Sequence, residues 1–429
     1  MRRVLTPPLP QRLQLCCIAL LFGLAAAVLC LAAMGGCDAS AGAATSSEAG
    51  SAPLVRVMIV SKAEEVSIQG ALPPILSGEG LGGAVRLALP EAPVSVELRD
   101  NGWHIGNQTF PRGSLRLTPL KEGSLSINGK RYRGSLRLVP RKEETRRFDV
   151  VNDVDIESYL QGVLPSELPT WFHPTTYEAQ AVVARTYALW EIKTAGRERG
   201  HFDLYHSDRS QVYGGIDAET RRSRQAVART RGQVAVHDTP AGPRIFKAYF
   251  HSTSGGATLG VESAFNEPPI RALSAQSLGD LSKESSRYTW KPIVLTKQEV
   301  TRRLKAWGED RGNAIKRMAR VDKLEIAETN EFGRPTRFEV VDVRQNRYSL
   351  IPEEMRWALN TGATDGTRVY SGWFTPINNE TNIVISEGRG WGHGVGMCQF
   401  TADAWAQQGK DHVEIVTLSY PGTSVVRAY

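Results

Sequence analysis

From Val154 onward the apolar residues of this chain take up helical spacing, and Pro165 and Pro169 then interrupt it. The residues before that point do the opposite. Leu54 to Val60, Val94 to Leu98, Leu115 to Leu117 and Ser135 to Val139 are short β-like runs broken by Gly, Pro and Asn. Asn128-Gly129 reads as a hairpin turn leading into Tyr132. Strands first and helices afterwards imply an α+β chain, with a strand-rich N-terminal region over 54–150 and a mixed α+β core over 151–427.

The first helix should carry Ile156, Tyr159, Leu160 and Val163 on one face, take its cap from Asp155 or the residues before it, and stop before Pro165. Glu167 then lies just past the helix in a constrained turn, with Leu164, Leu168 and Trp171 as neighbours. A partly apolar setting disfavours the ionised carboxylate, so Glu167 is a candidate general acid. The competing reading is a surface glutamate in a Pro-bounded turn. Pro174 suits the first turn of a second helix that buries Ala179, Val182, Val183, Thr186 and Trp190. Gln180, Ala184, Tyr187 and Glu191 share a neighbouring face, so Gln180 and Tyr187 either face a ligand or form the polar edge of a core helix.

Further along, His201 to Gly215 reads as a polar loop whose His201 and His206 are either metal ligands or solvated, with no cysteine nearby. A helix over Ala218 to Arg229 leads into a strand over Gly232 to Val236, and Phe246 to Thr258 reads as a strand entering a Gly turn. His251, Ser252 and Ser254 raise a serine hydrolase, but no Gly-x-Ser-x-Gly elbow and no suitably spaced Asp accompany them. Residues 259–380 read as scaffold, with a helix near Lys297 to Trp307 and strands at Lys323 to Ile326 and Phe338 to Val343; no phosphate loop or zinc-protease motif occurs. Glycines 388, 390, 392, 394 and 396 alternate. In an extended chain they leave one bare face and display Arg389, Trp391 and His393 together on the other, a surface suited to a flat sugar ring; a tight Gly-rich turn against the core is the alternative.

The N-terminus has the parts of an export signal: Arg2, Arg3 and Arg12, an apolar run from Leu13 to Met34, then Gly35-Gly36-Cys37. That ending resembles a bacterial lipoprotein cleavage site after which Cys37 carries lipid, although Met34 stands where Leu is usual; an uncleaved signal anchor and plain secretion are the alternatives. Residues 38–53 are small and polar, as in a flexible tether between membrane and body. With Cys16, Cys17 and Cys30 in the signal, the mature chain keeps only Cys37 and Cys398, too few for a Cys-based metal site. Of the net charge of +7, residues 1–36 hold three arginines and no acids, leaving 49 basic against 45 acidic residues. That mild excess suits an anionic wall or membrane surface and lacks the basic stripe of a nucleic-acid binder.

Taken in order, the motifs resemble one family. They are Val151-Asn152 to Tyr159-Leu160, Gly162-Val163-Leu164-Pro165-Ser166-Glu167, Ala179 to Ala188, Ser210-Gln211-Val212-Tyr213-Gly214-Gly215, His251 to Gly256, Gly390 to Met397 and Tyr420-Pro421-Gly422-Thr423. This series is similar to the sporulation protein D and amidase enhancer family of bacterial cell-wall proteins. The resemblance implies a lytic transglycosylase that cuts peptidoglycan glycan strands, preferring strands stripped of stem peptides, in a glycan-binding cleft with Glu167 as catalytic acid. It further implies that Gln180, Arg185, Tyr187, Gln211, Tyr213, Ser254, Trp391, His393 and Gln399 line the cleft. Leu168 replaces the Met of relatives, and Cys398 stands where Ser is common. Some relatives hold zinc through Cys and His; this chain has His201 and His206 without the cysteines, so no metal or other cofactor is expected. The expected partners are glycan strands, a membrane reached through the lipid and, if the chain is instead a non-catalytic amidase enhancer, an N-acetylmuramoyl-L-alanine amidase.

Overall fold

Two sheets, antiparallel except for one short edge strand, open the structure, a computed structural model that describes residues 51–121, 123–194 and 199–429. The signal segment, Cys37 and all but the end of the tether lie outside the described residues. One sheet has seven strands and the other six. Their inward residues alternate as β periodicity requires: Val94, Val96 and Leu98 are buried while Ser95 and Glu97 are less so. Asn128 and Gly129 both take positive φ, 49° and 81°, and join Leu125–Ile127 to Lys130–Tyr132 in the expected hairpin. Near one edge of the larger sheet, Leu54–Ala63 pairs antiparallel with Phe148–Asp155 and parallel with the short edge strand Leu204–Tyr205. Phe148–Asp155 is buried almost throughout and runs directly into the first helix, so sheet and helices share one hydrophobic cluster from Val55 to Tyr420.

Helix α1 spans Ile156–Glu167 and α2 spans Pro174–Lys193. Asp155 caps α1 by accepting from the Ser158 N–H at 3.0 Å. Two expectations need correction. The first is that α1 continues through Pro165 and ends on Glu167. Proline removes one late helical hydrogen bond, and the burial of Val163 and Leu164 on either side of the turn holds the helix despite it. The second is that α2 is not amphipathic: every residue from Ala179 to Leu189 is buried, and it is Trp190 that is partly exposed. It is a central helix, packed by α1, by α3 (Arg221–Arg229) and by the later helices.

Residues 290–385 form a second hydrophobic cluster of their own, built from Trp290, Leu304, Leu324, Phe338, Met355, Phe374 and Ile385 among others. Between the two clusters lies α4 (Val261–Phe265), and the second lobe contains α5 (Lys297–Arg311), a three-stranded antiparallel sheet over Val321–Leu350, and α6 (Pro352–Asn360). The chain leaves the first cluster after Leu278 and rejoins it at Val395, and Phe250–His251, before this excursion, pairs in parallel with Met397–Cys398, after it. The lobe is thus an insertion between adjacent strands of the first. Helices α7 (Gln399–Gln407) and α8 (His412–Ser419) then pack back on α2, and Thr423–Arg427 pairs with Gln233–His237. No helix among the described residues is long and apolar enough to cross a membrane.

Candidate active site

Glu167 ends α1 with its carboxyl turned to the loop Ser210–Gly215: Oε1 accepts from the Val212 N–H at 2.7 Å. That loop is tied down on both sides. The Gly214 N–H reaches the Gly162 carbonyl at 3.2 Å and the Tyr213 N–H reaches the His206 carbonyl at 3.1 Å. Gly162 permits this approach, because a Cβ there would meet the Gly215 carbonyl oxygen at 2.7 Å. Beneath the loop, the Tyr159 hydroxyl donates to Gln211 Oε1 at 3.1 Å and the Tyr213 hydroxyl to Asn152 Oδ1 at 3.1 Å. The seat of Glu167 is therefore rigid. Desolvation raises its carboxyl to about 7, against the lowering effect of the Val212 N–H and with a smaller push from the Asp208 carboxylate. A carboxylic acid that keeps its proton near neutrality and holds one fixed hydrogen bond is equipped to give that proton away.

Asp208 also acts on Arg356 of α6, and Arg356 in turn acts on His393. These charges join the end of α1, the loop before Ser210, the inserted lobe and the glycine stretch into one electrostatic neighbourhood. Arg356 is itself paired with Glu353. Next to it is an aromatic nest: the His393 ring lies 5.5 Å from Tyr249 and 5.2 Å from Phe265, and Tyr249 lies 6.3 Å from Tyr187. The Lys247 ammonium sits 4.9 Å from the Tyr249 ring and 5.0 Å from Trp190, bridging Glu191 and Glu267. Burial, then Arg356, lowers His393 to about 3, while a hydrogen bond to the Phe250 backbone opposes them. Its Nδ1 accepts from the Val395 N–H at 3.0 Å, so the imidazole is neutral and tied to backbone on both sides.

The expected site residues divide accordingly. Glu167, Gln211, Tyr213 and Tyr187 are brought together around Tyr159, which donates to Gln211, lies 4.9 Å ring to ring from Tyr213 and has Glu167 and Tyr187 as electrostatic neighbours. Arg185 is placed in the core instead: its guanidinium grips Glu157 at 3.1 and 2.7 Å, and Nη1 reaches the carbonyls of Ala181 and Gln233. Ser254 is also fully buried, bonded to Ser282. Gln180 and Gln399 are buried against each other at 3.4 Å, with Gln180 Nε2 left without a partner. The glycine stretch is not an extended strand. Gly390, Gly392, Gly394 and Gly396 all take positive φ, which folds the segment so that Trp391, 45% exposed beside Tyr370, and His393, in its nest, no longer share one face. At Gly394 the need is steric as well, since a Cβ would meet the Arg334 guanidinium at 2.0 Å.

Of the carboxylates that sequence placed as possible neighbours, Asp203 is paired with Arg56 and Glu387 accepts from Thr375, while Asp208 acts on Glu167. The residues do not fit zinc: His201 Nε2 is held by Asp149 at 3.0 Å, His206 Nδ1 by the Met58 carbonyl at 3.0 Å, and no group of three potential ligands occurs among the described residues. Sequence reasoning missed Arg356, Lys247 and Arg334. No local motif marks them, because each reaches the site through the insertion or through packing of distant segments.

Residues 144–237 match the family model described as stage II sporulation protein, SpoIID. The chain is 27% identical over 293 residues to stage II sporulation protein D of Bacillus amyloliquefaciens, covering 65% of this chain and 76% of that one. It is also 27% identical over 303 residues to the amidase enhancer of Bacillus subtilis, covering 62% of this chain and 40% of that protein. Residues 144–237 thus carry a SpoIID-type domain, and the chain is similar to proteins named stage II sporulation protein D and amidase enhancer. An uncharacterized protein of Brachyspira hyodysenteriae is 29% identical over 280 residues, covering 65% of this chain and 68% of that one. The SpoIID match holds α1, α2, the Glu167 seat and α3. Residues 258–396 match a second model, described only as a domain of unknown function, which takes in the inserted lobe and the glycine stretch up to Gly396.

Proposed function

We propose that this chain is an exported, lipid-anchored peptidoglycan lytic transglycosylase in which Glu167 serves as both acid and base. The observation that carries the proposal is the Glu167 carboxyl itself, raised to about 7 at the end of α1 and fixed by the Val212 N–H. Glu167 gives its proton to the glycosidic oxygen as the bond to the muramic acid C1 breaks and positive charge develops on the ring. The carboxylate then takes the proton from the 6-hydroxyl of the same sugar as O6 bonds to C1. A 1,6-anhydro ring closes, and the acid is restored. A hydrolase of the usual kind needs a second carboxylate about 5 Å away, or further off with a water between. Asp208 is the carboxylate whose charge acts on Glu167, so the product distinguishes the two routes. The anchor rests on Cys37, which in this reading is lipidated at the cell envelope.

A second reading draws on the relative named amidase enhancer: the chain binds glycan and stimulates an amidase without cutting. Purified protein incubated with peptide-free glycan strands and read by mass spectrometry separates these. Anhydro-muramyl ends that vanish in Glu167→Gln support the transglycosylase; reducing ends point to hydrolysis. Intact strands with faster turnover by an added amidase favour the enhancer.

A further inference from the structure

A cavity of about 370 Å³ opens between the start of α2 and α3, lined by Pro174, Glu178, Arg221, Arg222, Gln225 and Arg229 among others, and Arg222 ties it to the segment that follows Glu167. Three arginines face one glutamate, and Glu178 is already matched by Arg229 at 2.9 Å. Arg222 is engaged differently. Its Nη1 donates to the Thr170 carbonyl and, at 2.6 Å, to that of Phe172, and so fixes the backbone on both sides of Trp171. Arg221 is exposed and makes no ion pair or hydrogen bond among the described residues. Trp171, four residues past Glu167, is 61% exposed, although its edge contacts with Phe172 at 4.6 Å and Phe400 at 5.8 Å hold the ring in place. A large aromatic residue held rigidly in water has a face free for stacking, and the cationic groove begins three residues further on.

We infer that Trp171 and this groove form a glycan subsite beside Glu167, in which the indole stacks on a sugar ring and Arg221 pairs with the carboxylate of an acidic sugar. The inference rests on the glycan reading above. Muramic acid freed of its peptide carries such a carboxylate on its lactyl ether, whereas N-acetylglucosamine carries none. Arg222 is the positioning residue, acting through the loop that presents Trp171.

The test is a binding titration on the Glu167→Gln chain, so that no strand is cut, with three probes of matched length: peptide-free glycan strands, the same strands with their carboxyls converted to neutral amides, and N-acetylglucosamine oligomers. Arg221→Glu should weaken binding of the carboxylated strands roughly fivefold and flatten its salt dependence, while moving the two neutral probes less than about twofold. Trp171→Ala should weaken all three. Equal loss on carboxylated and amidated strands, or no loss with either variant, overturns the subsite while leaving the function standing. Failure of the Glu167→Gln chain to bind any probe overturns the glycan reading and the subsite with it.

Discussion

At Glu167 a single carboxyl carries opposite consequences for stability and for chemistry. Burial raises its folded-state value to about 7, above the ordinary value near 4.3 of an unfolded chain. The folded form therefore binds the proton more tightly. Between those two values stability falls as pH rises, and above about 7 the whole cost of the buried anion is present. Glu167→Gln keeps the acceptor for the Val212 N–H and removes the titration. The variant should be more stable than wild type above pH 7, by roughly 1–3 kcal/mol, and should lose that advantage below about pH 4, as read from urea midpoints across pH. A buried functional acid predicts this pattern; a solvated turn glutamate predicts no difference. Tyr187 and Tyr213 move the other way in role: burial holds both phenols far above the usual range, so they act as neutral hydroxyls at every physiological pH.

Among the elements, α2 departs most from its pattern. Its central residues are buried on every side, and Arg185 is tolerated there because Glu157 meets the guanidinium with both oxygens and also accepts from the Gly232 N–H and the Tyr429 hydroxyl. Arg185→Met should strand the Glu157 carboxylate and lower stability by about 3–5 kcal/mol in thermal unfolding, and Arg185→Lys should recover only part of it, since a point charge cannot replace the fork. This helix also marks the limit of legibility. Whereas the seat of Glu167 is made by the distant Val212 loop, the strands of the N-terminal region, the Asn128-Gly129 hairpin and the Asp155 cap were readable because each depends on neighbours within a few residues. The continuation of α1 through Pro165, the enclosure of α2 and the folding of Gly390 to Gly396 were not, because distant segments impose them. For Arg185, motif membership pointed to the cleft while the fold placed it in the core.

Across the whole molecule, the inserted lobe has its own hydrophobic cluster yet sends charge into the first. Arg334, buried and lowered to about 10 by desolvation, donates to the carbonyls of Ser254 and Ala257 on one lobe's exit and lies against the His393 carbonyl on its return. Its removal should uncouple the lobes. Arg334→Met is expected to split one denaturation transition into two and to speed hydrogen exchange at the Gly392 to Met397 amides; a single transition with unchanged exchange would contradict this coupling. Arg356 and Asp208 complete the link from the lobe to Glu167, which is why the acid's behaviour reports on the assembled site. The central claim is that one carboxyl, protonated near neutrality, cuts the glycan. The pH dependence of anhydro-end formation from peptide-free strands measures it: the rate should hold below pH 7, fall above it, and begin to fall at lower pH in Asp208→Asn. A rate already falling near pH 4.5, or anhydro ends formed undiminished by Glu167→Gln, would contradict it.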